Sequence, residues 1–371
     1  MYYCYFFCII FKYMEDSEIN DIRNINEFKG ISFSKFKKTD VKKELLNNLI
    51  NSKIEPACYW SAELICAGQY NDLWDVIIFF YTKHVHLGNP KIAAYLELRL
   101  NNFKDIANNG YLDSILSMRN NDKIRHLFCE IMCVLCDAKR KHSFDSIKIK
   151  TEDFDMTILR EKFKAPNNKY GQIVFLDEDP KEIFPAINEI SYNVSEECKN
   201  VMNACFWLEW IIEFESRCKG KKEKLTCGRR NFPQVDTKLQ KDVIFILWDL
   251  FFKEAKKRSK FIKKTIDSLF SLFTLKYVSG CHKKRKNIMY FAISLLCENA
   301  VTNEEIIRAS QQEIICNILK KIDFVYKQIK KNEESCGTEY LFKDVKSFNL
   351  EKTIEKLEKM NSFGESFIPR I

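Results

Sequence analysis

"ACYW" at residues 57–60 returns as "ACFW" at residues 204–207, and the reading of this pair decides the fold. Each copy runs on into an apolar stretch with the spacing of a helix, "ACYWSAELI" in the first and "ACFWLEWII" in the second. The parallel extends further along the chain. "LWDVIIFF" (73–80) follows the first copy and "LWDLFF" (247–252) the second, so Trp60, Trp74, Trp207 and Trp248 occupy matched positions. "KIRHLFCEIMCVLC", ending at Cys136, then parallels "KRKNIMYFAISLLC", ending at Cys297. Three short matches in one order predict two diverged copies of one helical unit. Large rings at helical spacing are packing residues before they are ligand contacts, so the aromatic pairs are expected in the core.

Working outward, the first copy reads as about five helices. Val41, Leu45, Leu49 and Ile50 mark one that Thr39 would cap. A second starts near Pro56 and stops at Gly68. A third carries Leu73, Trp74, Ile77 and Phe80, and a fourth opens at Asn89 as cap with Pro90 in its first position. The fifth holds Cys129, Cys133 and Cys136. Between the copies, "SIKIKTEDF" and "KYGQIVFLDEDP" have short β-branched runs flanked by Pro and Gly, and predict two short strands in a mixed connecting segment. After the second copy, Thr302 and Glu305 form a candidate capping box for one long helix with a stripe through Ile307, Ile314, Ile318, Ile322, Val325 and Ile329.

The expected organisation is all-α: an N-terminal extension (1–38), helical repeat 1 (39–139), a connecting segment (140–195), helical repeat 2 (196–300) with a basic insertion at 216–240, and a C-terminal helix with a charged tail (301–371). Composition agrees. Only 10 glycines and 7 prolines in 371 residues are too few for the tight turns of an all-β fold. The 15 cysteines show no disulfide framework, and Cys129, Cys133 and Cys136 share one helix face as small buried residues. A reducing, intracellular compartment follows as the expectation. The opening "MYYCYFFCIIF" falls short of the roughly 20 residues that span a bilayer and lacks the marks of a signal peptide. No membrane association is expected, and translation is expected to start at Met14. Richness in Lys, Asn, Ile and Phe is what AT-rich coding sequence produces, as in large DNA viruses or protozoan parasites.

Residues 40–150 resemble the C-terminal helical collar of clamp-loader-like AAA+ proteins. The likeness is carried by "YWSAELICAG" (59–68), "HLGNPKIAAYLE" (86–97) and the helix ending in "CDAKRKHSF" (136–144). In that family a similar Tyr-Trp-x-Ala, then Ala-Gly, precedes a Gly-Leu-Ala-Asp-Pro-like turn into the next helix. The resemblance implies a role in holding subunits together, and DNA replication as the setting. It implies no ATPase, because no G-x-x-x-x-G-K-[ST] occurs to cradle phosphates. "EPACYWSAELICAG" and "ACFWLEWIIEFE" also look like helical proteins of nucleocytoplasmic large DNA viruses, which implies host cytoplasm or nucleus as the compartment.

Charge is uneven. Residues 217–286 hold 21 Lys and Arg against 6 Asp and Glu, while the whole chain is only +9. The candidate phosphate-binding residues are Lys219, Lys221, Lys222, Lys224, Arg229 and Arg230 in the first cluster, Lys256, Lys257, Arg258 and Lys260 in the second, and Lys283, Lys284, Arg285 and Lys286 in the third. The first cluster lies in an insertion: "LWD" begins 43 residues after "ACFW" but only 16 after "ACYW". Insertions into a repeat lie in surface loops, where binding concentrates. A solvated helix face is the plainer account of each cluster.

Candidate chemistry is weaker. Cys218, Cys227, Cys281 and His282 could offer four metal ligands but lack C-x-x-C knuckles, and unligated thiols fit better. His84 and His86 do not share a helix face. Glu209, Glu213 and Glu215 read as a solvated or Lys-paired face with no nucleophile pattern beside it. No catalytic residue, metal or cofactor is therefore expected. The expected function is a non-catalytic assembly or nucleic-acid-associated factor, a replication accessory protein that grips phosphate backbone and associates with protein partners or itself. The alternative is a viral helical scaffold or virion protein whose basic surface meets acidic protein.

Overall fold

A computed structural model describes residues 17–112, 114–223, 225–300, 302–334 and 352–358. The expected start at Met14, Lys224 and most of the charged tail lie outside them. The architecture is all-α. No helix among the described residues is long and apolar enough to cross a membrane.

The chain divides into two compact units, each assembled from separated stretches of sequence. Of the described residues, the first takes those up to 80, 98–138 and those from 305 onward, and the second takes those in 81–97 and 139–304. The helices, in chain order, begin with α1 (Lys38–Ile50), α2 (Ile54–Cys66), α3 (Tyr70–Phe80), α4 (Ile92–Asn108) and α5 (Asp122–Asp137). Next come α6 (Met156–Lys162), α7 (Lys169–Gln172), α8 (Phe184–Val194), α9 (Val201–Gly220), α10 (Ile244–Lys256) and α11 (Lys260–Phe273). Then come α12 (Cys281–Lys284), α13 (Lys286–Cys297), α14 (Ala309–Lys320) and α15 (Ile322–Lys330), and residues 352–358 are helical as well.

In the first unit α2 is the central helix. It packs against α1, α3, α5 and α15, and every side chain from Pro56 to Cys66 is buried. Gly68 ends it as the sequence predicts. Its φ of +70° suits glycine, Gly68 N–H donates to Ile65 O at 2.9 Å, and Gln69 N–H donates to Leu64 O at 2.8 Å, which satisfies the last carbonyls of the helix. Trp60 lies edge-on to Phe36, and Trp74 packs with Phe103 and Phe128. Arg125 joins α5 to α15: its Nη1 donates to Asp323 Oδ1 at 2.8 Å, and the guanidinium lies 4.0 Å from the centre of the Tyr326 ring.

In the second unit α9 runs along α8 and α13, and α10 and α11 pack against each other and against α13. Trp207 stacks on Phe163, while Trp248 sits among Phe251, Phe252, Phe270 and Phe273. All four matched tryptophans are at most 1% exposed, as rings at helical spacing should be. Truncating such a ring to alanine costs about 3–5 kcal/mol.

Local expectations fail where a competing turn wins. Residues 140–195 contain no strand. Val174 and Phe175 N–H groups donate back to Gly171 O, and Asp179 N–H donates to Leu176 O, so turns take up the backbone groups a ladder would have used. The first helix starts at Lys38, so Thr39 lies inside it rather than capping it. Asn89 and Pro90 form a turn that delays α4 to Ile92. Thr302 and Glu305 cap nothing, because α14 begins only at Ala309. The expected long C-terminal helix is two helices broken at Lys321, and its buried positions are Ile315, Ile322, Tyr326 and Ile329.

Candidate nucleic-acid interface

The strongest gathering of cations is at the C-terminal end of α9, in the second unit. Asn200 caps the start of this helix by accepting from Asn203 N–H at 3.0 Å. Twenty residues later the helix closes with Lys222 N–H on Lys219 O and Glu223 N–H on Cys218 O. The position that favours glycine is filled by Lys222, at a φ of +63°. Cations belong at this end for a local reason, since they oppose the partial negative charge of the helix C-terminus.

Two of these cations are also tied to acids. Lys219 Nζ is 2.8 Å from Glu215 Oε1, and Arg217 pairs with Glu213 at 3.4 Å. Lys221 and Lys222 are exposed and enter no ion pair among the described residues. Lys283 joins this end by donating from Nζ to Ser216 Oγ at 3.0 Å, and the neighbouring Lys284 is exposed. Lys219, Lys221, Lys222 and Lys283 thus come together from two of the three basic clusters, with Lys284 next to Lys283 in the chain.

Beside them is a cleft of about 740 Å³, whose lining includes Phe154, Trp207, Trp210, Phe214, Lys181, Arg217 and Lys221. Trp210 and Phe214 are stacked at 5.2 Å and 7°, and Phe154 stacks on Trp210 at 5.1 Å. Trp210 is fixed by donating Nε1–H to Asp153 O at 2.9 Å. The Arg217 guanidinium covers the Phe154 ring at 4.0 Å. The cleft therefore has apolar walls and a rim of Lys181, Arg217 and Lys221 beside Glu182, while both faces of Trp210 are covered by Phe154 and Phe214.

Most of the other candidates are tied to groups of the protein, with Arg230 buried and Arg229 and Lys257 still exposed. Arg230 is buried on Asp179, with Nη1 and Nη2 each 2.5 Å from a carboxylate oxygen, and also donates to Gly228 O and Val174 O. Arg258 donates to Val194 O and pairs with Glu196. Arg285 donates to Phe273 O and Leu275 O, and Lys286 Nζ sits 2.8 Å from Glu209 Oε1. Lys257 pairs with Glu254 at 2.6 Å, and Arg229 donates from Nε to Gln240 Oε1. The second cluster is also remote. Arg258 holds Val194, and Asn193 O accepts from Asn200 N–H at the start of α9, so Lys256 and Lys260 lie near its other end. A helix of 20 residues separates the two ends by roughly 30 Å.

Of the glutamates of α9, Glu209 and Glu215 are buried and Lys-paired, with Lys286 and Lys219, while Glu213 is half exposed and pairs with Arg217. Glu209 accepts from Tyr290 OH at 2.6 Å, and Glu215 Oε2 is 2.8 Å from His282 Nε2. Burial alone would raise the Glu215 carboxyl, but hydrogen bonds from His282 and Lys219, with their charges, outweigh it and bring it from 4.5 down to about 2. Tyr277 extends the network by donating to Asp242 Oδ2 at 3.1 Å. His282 is 0% exposed, so this network braces α9 against α12 and offers no substrate a proton.

Among the described residues, Cys218, Cys227, Cys281 and His282 do not converge on a common point. His84 faces His142, with Nδ1 atoms 3.1 Å apart, a pairing across 58 residues that spacing alone could not reveal. His86 is buried against Phe291, and burial drives its ring down to about 3.

No family model matches the chain, and no curated protein or solved structure matches it. These comparisons link residues 40–150 to no clamp-loader collar and the chain to no viral family.

Proposed function

We propose that this protein is a non-catalytic, nucleic-acid-associated factor that grips the phosphate backbone of a single strand at the C-terminal end of α9. The observation that carries the reading is the gathering of exposed lysines at this helix end, Lys219, Lys221, Lys222 and Lys283 with Lys284 beside it in sequence, where Lys221 also lines the apolar cleft around Trp210. Lysines contact phosphates without reading bases, and an apolar cleft beside them gives an unpaired base of any identity a place out of water. The collar-like resemblance of residues 40–150 supports an assembly role in DNA replication. The burial of the Glu215–His282–Tyr277–Asp242 network supports a binding role over a catalytic one.

The test is fluorescence anisotropy of the full chain with labelled single- and double-stranded oligonucleotides across a salt series. Expected is tighter binding of single strands, with log affinity falling linearly in log salt by about 0.7 for each phosphate contact. Lys221→Glu, Lys222→Glu and Lys284→Glu together abolish it, whereas Lys256→Glu with Lys260→Glu leaves most of it. Folded protein that binds no oligonucleotide at low salt overturns the reading and favours an acidic protein partner on the same surface.

A further inference from the structure

Three cysteines of the first unit converge in its core. Cys129 and Cys133 stand one turn apart on α5, and Cys58 faces them from α2. Their sulfur atoms all lie within 4.8 Å of one another, with Cys58 Sγ 3.7 Å from Cys129 Sγ, and each residue is 1% exposed. Small core residues have no need to aim their sulfurs at one point. The separation also has a chemical scale: sulfurs at the corners of a triangle around one metal ion, with bonds of about 2.3 Å, lie about 4.0 Å apart. A disulfide, by contrast, needs a separation of about 2.05 Å.

We propose that Cys58, Cys129 and Cys133 form a three-sulfur site for a soft monovalent cation, Cu(I). Sulfur donors select soft ions. Structural zinc takes four protein ligands, and among the described residues no further His, Cys, Asp or Glu joins this group. Burial argues for the lower charge. Cu(I) entering the site displaces protons from two thiols, forming two copper–thiolate bonds while the third sulfur remains a neutral donor. The buried complex carries one negative charge, two protons leave to solvent, and no oxidation state changes. A site closed to water also protects Cu(I) from oxidation.

The test is anaerobic titration of the reduced full chain with Cu(I) against a chromophoric Cu(I) chelator. X-ray absorption on the loaded protein then gives the ligand shell. Expected is one ion per chain withheld from the chelator, in a shell of three sulfurs. That ion is lost in the conservative variant Cys133→Ser and in the Cys58→Ala, Cys129→Ala, Cys133→Ala triple variant, and kept in Cys66→Ala and Cys205→Ala. Circular dichroism confirms that each variant is folded, and the ligand shell of the wild-type chain decides the matter if one is not. An oxygen or nitrogen shell, an ion retained by the triple variant, no ion withheld by the reduced wild-type chain, or a Cys58–Cys129 disulfide as the resting state would each overturn the proposal.

Discussion

Arg230 meets Asp179 with both ends of its guanidinium, and neither side chain is more than 5% exposed. The pair sits inside the stretch whose positive charge suggests phosphate binding, yet the positive charge here is spent within the protein. Removing one partner leaves the other charge buried and unpaired, so Arg230→Met should lower the unfolding free energy by about 3–5 kcal/mol. Urea denaturation checks this, and an unchanged midpoint would mean the pair is solvated. The same reasoning bars Arg230 from any set of charge reversals designed to probe binding.

Lys222 holds a left-handed backbone conformation at the end of α9 without the freedom of glycine. Lys222→Gly should raise stability by about 1 kcal/mol, because the conformation no longer crowds a Cβ. The same substitution removes a cation, so the salt slope of oligonucleotide binding should fall by about 0.7. Paired thermal melts and anisotropy titrations separate the two effects. A loss of stability would show that the lysine side chain contributes more than its backbone costs.

Acid should loosen the brace between Glu215 and His282. The folded carboxyl titrates at about 2, below its ordinary 4.5, so the stability it contributes is complete above pH 4.5 and is lost as pH falls toward 2. Urea midpoints of the wild type and Glu215→Gln, compared from neutral pH downward, should differ by a constant amount above that window and converge within it. A difference that widens in acid would contradict the ion pair.

Gly88 touches the chain that follows α5. A Cβ built on it would lie 2.3 Å from Lys139 O, a backbone atom that cannot swing aside. Gly88→Ala should therefore cost about 1–3 kcal/mol through overpacking, read as a lowered melting temperature. A neutral result would show that the 139–140 backbone yields.

The fold class was legible because its signals are local. Pro56, Gly68 and the rings of "ACYW" and "LWD" mark helix starts, stops and core faces within a few residues. The strands expected at 146–180 were not there, because β-branched runs are as compatible with short turns when no partner strand exists. Positive charge between 217 and 286 was equally plain. Which lysines face solvent was not, since the acids that occupy Arg230 and Lys286 stand 51 and 77 residues away, at Asp179 and Glu209. The aromatic cleft was missed for a similar reason: Phe154 joins Trp210 across a segment read as a connector. Cys129 and Cys133 were legible as one helix face, but Cys58, 71 residues earlier, was not legible as their partner.

The interleaving of the two units has a consequence for synthesis. A ribosome completes the second unit when it passes residue 304, but α15, which covers α2 and α5 in the first, is made only at 322–330. The earliest helices translated are thus among the last to be sealed, and for most of elongation the nascent chain carries an open apolar surface that chaperones can occupy. No cut between residues 81 and 304 would release either unit whole, so fragments made for expression should fail as a pair even where each one begins and ends in a loop.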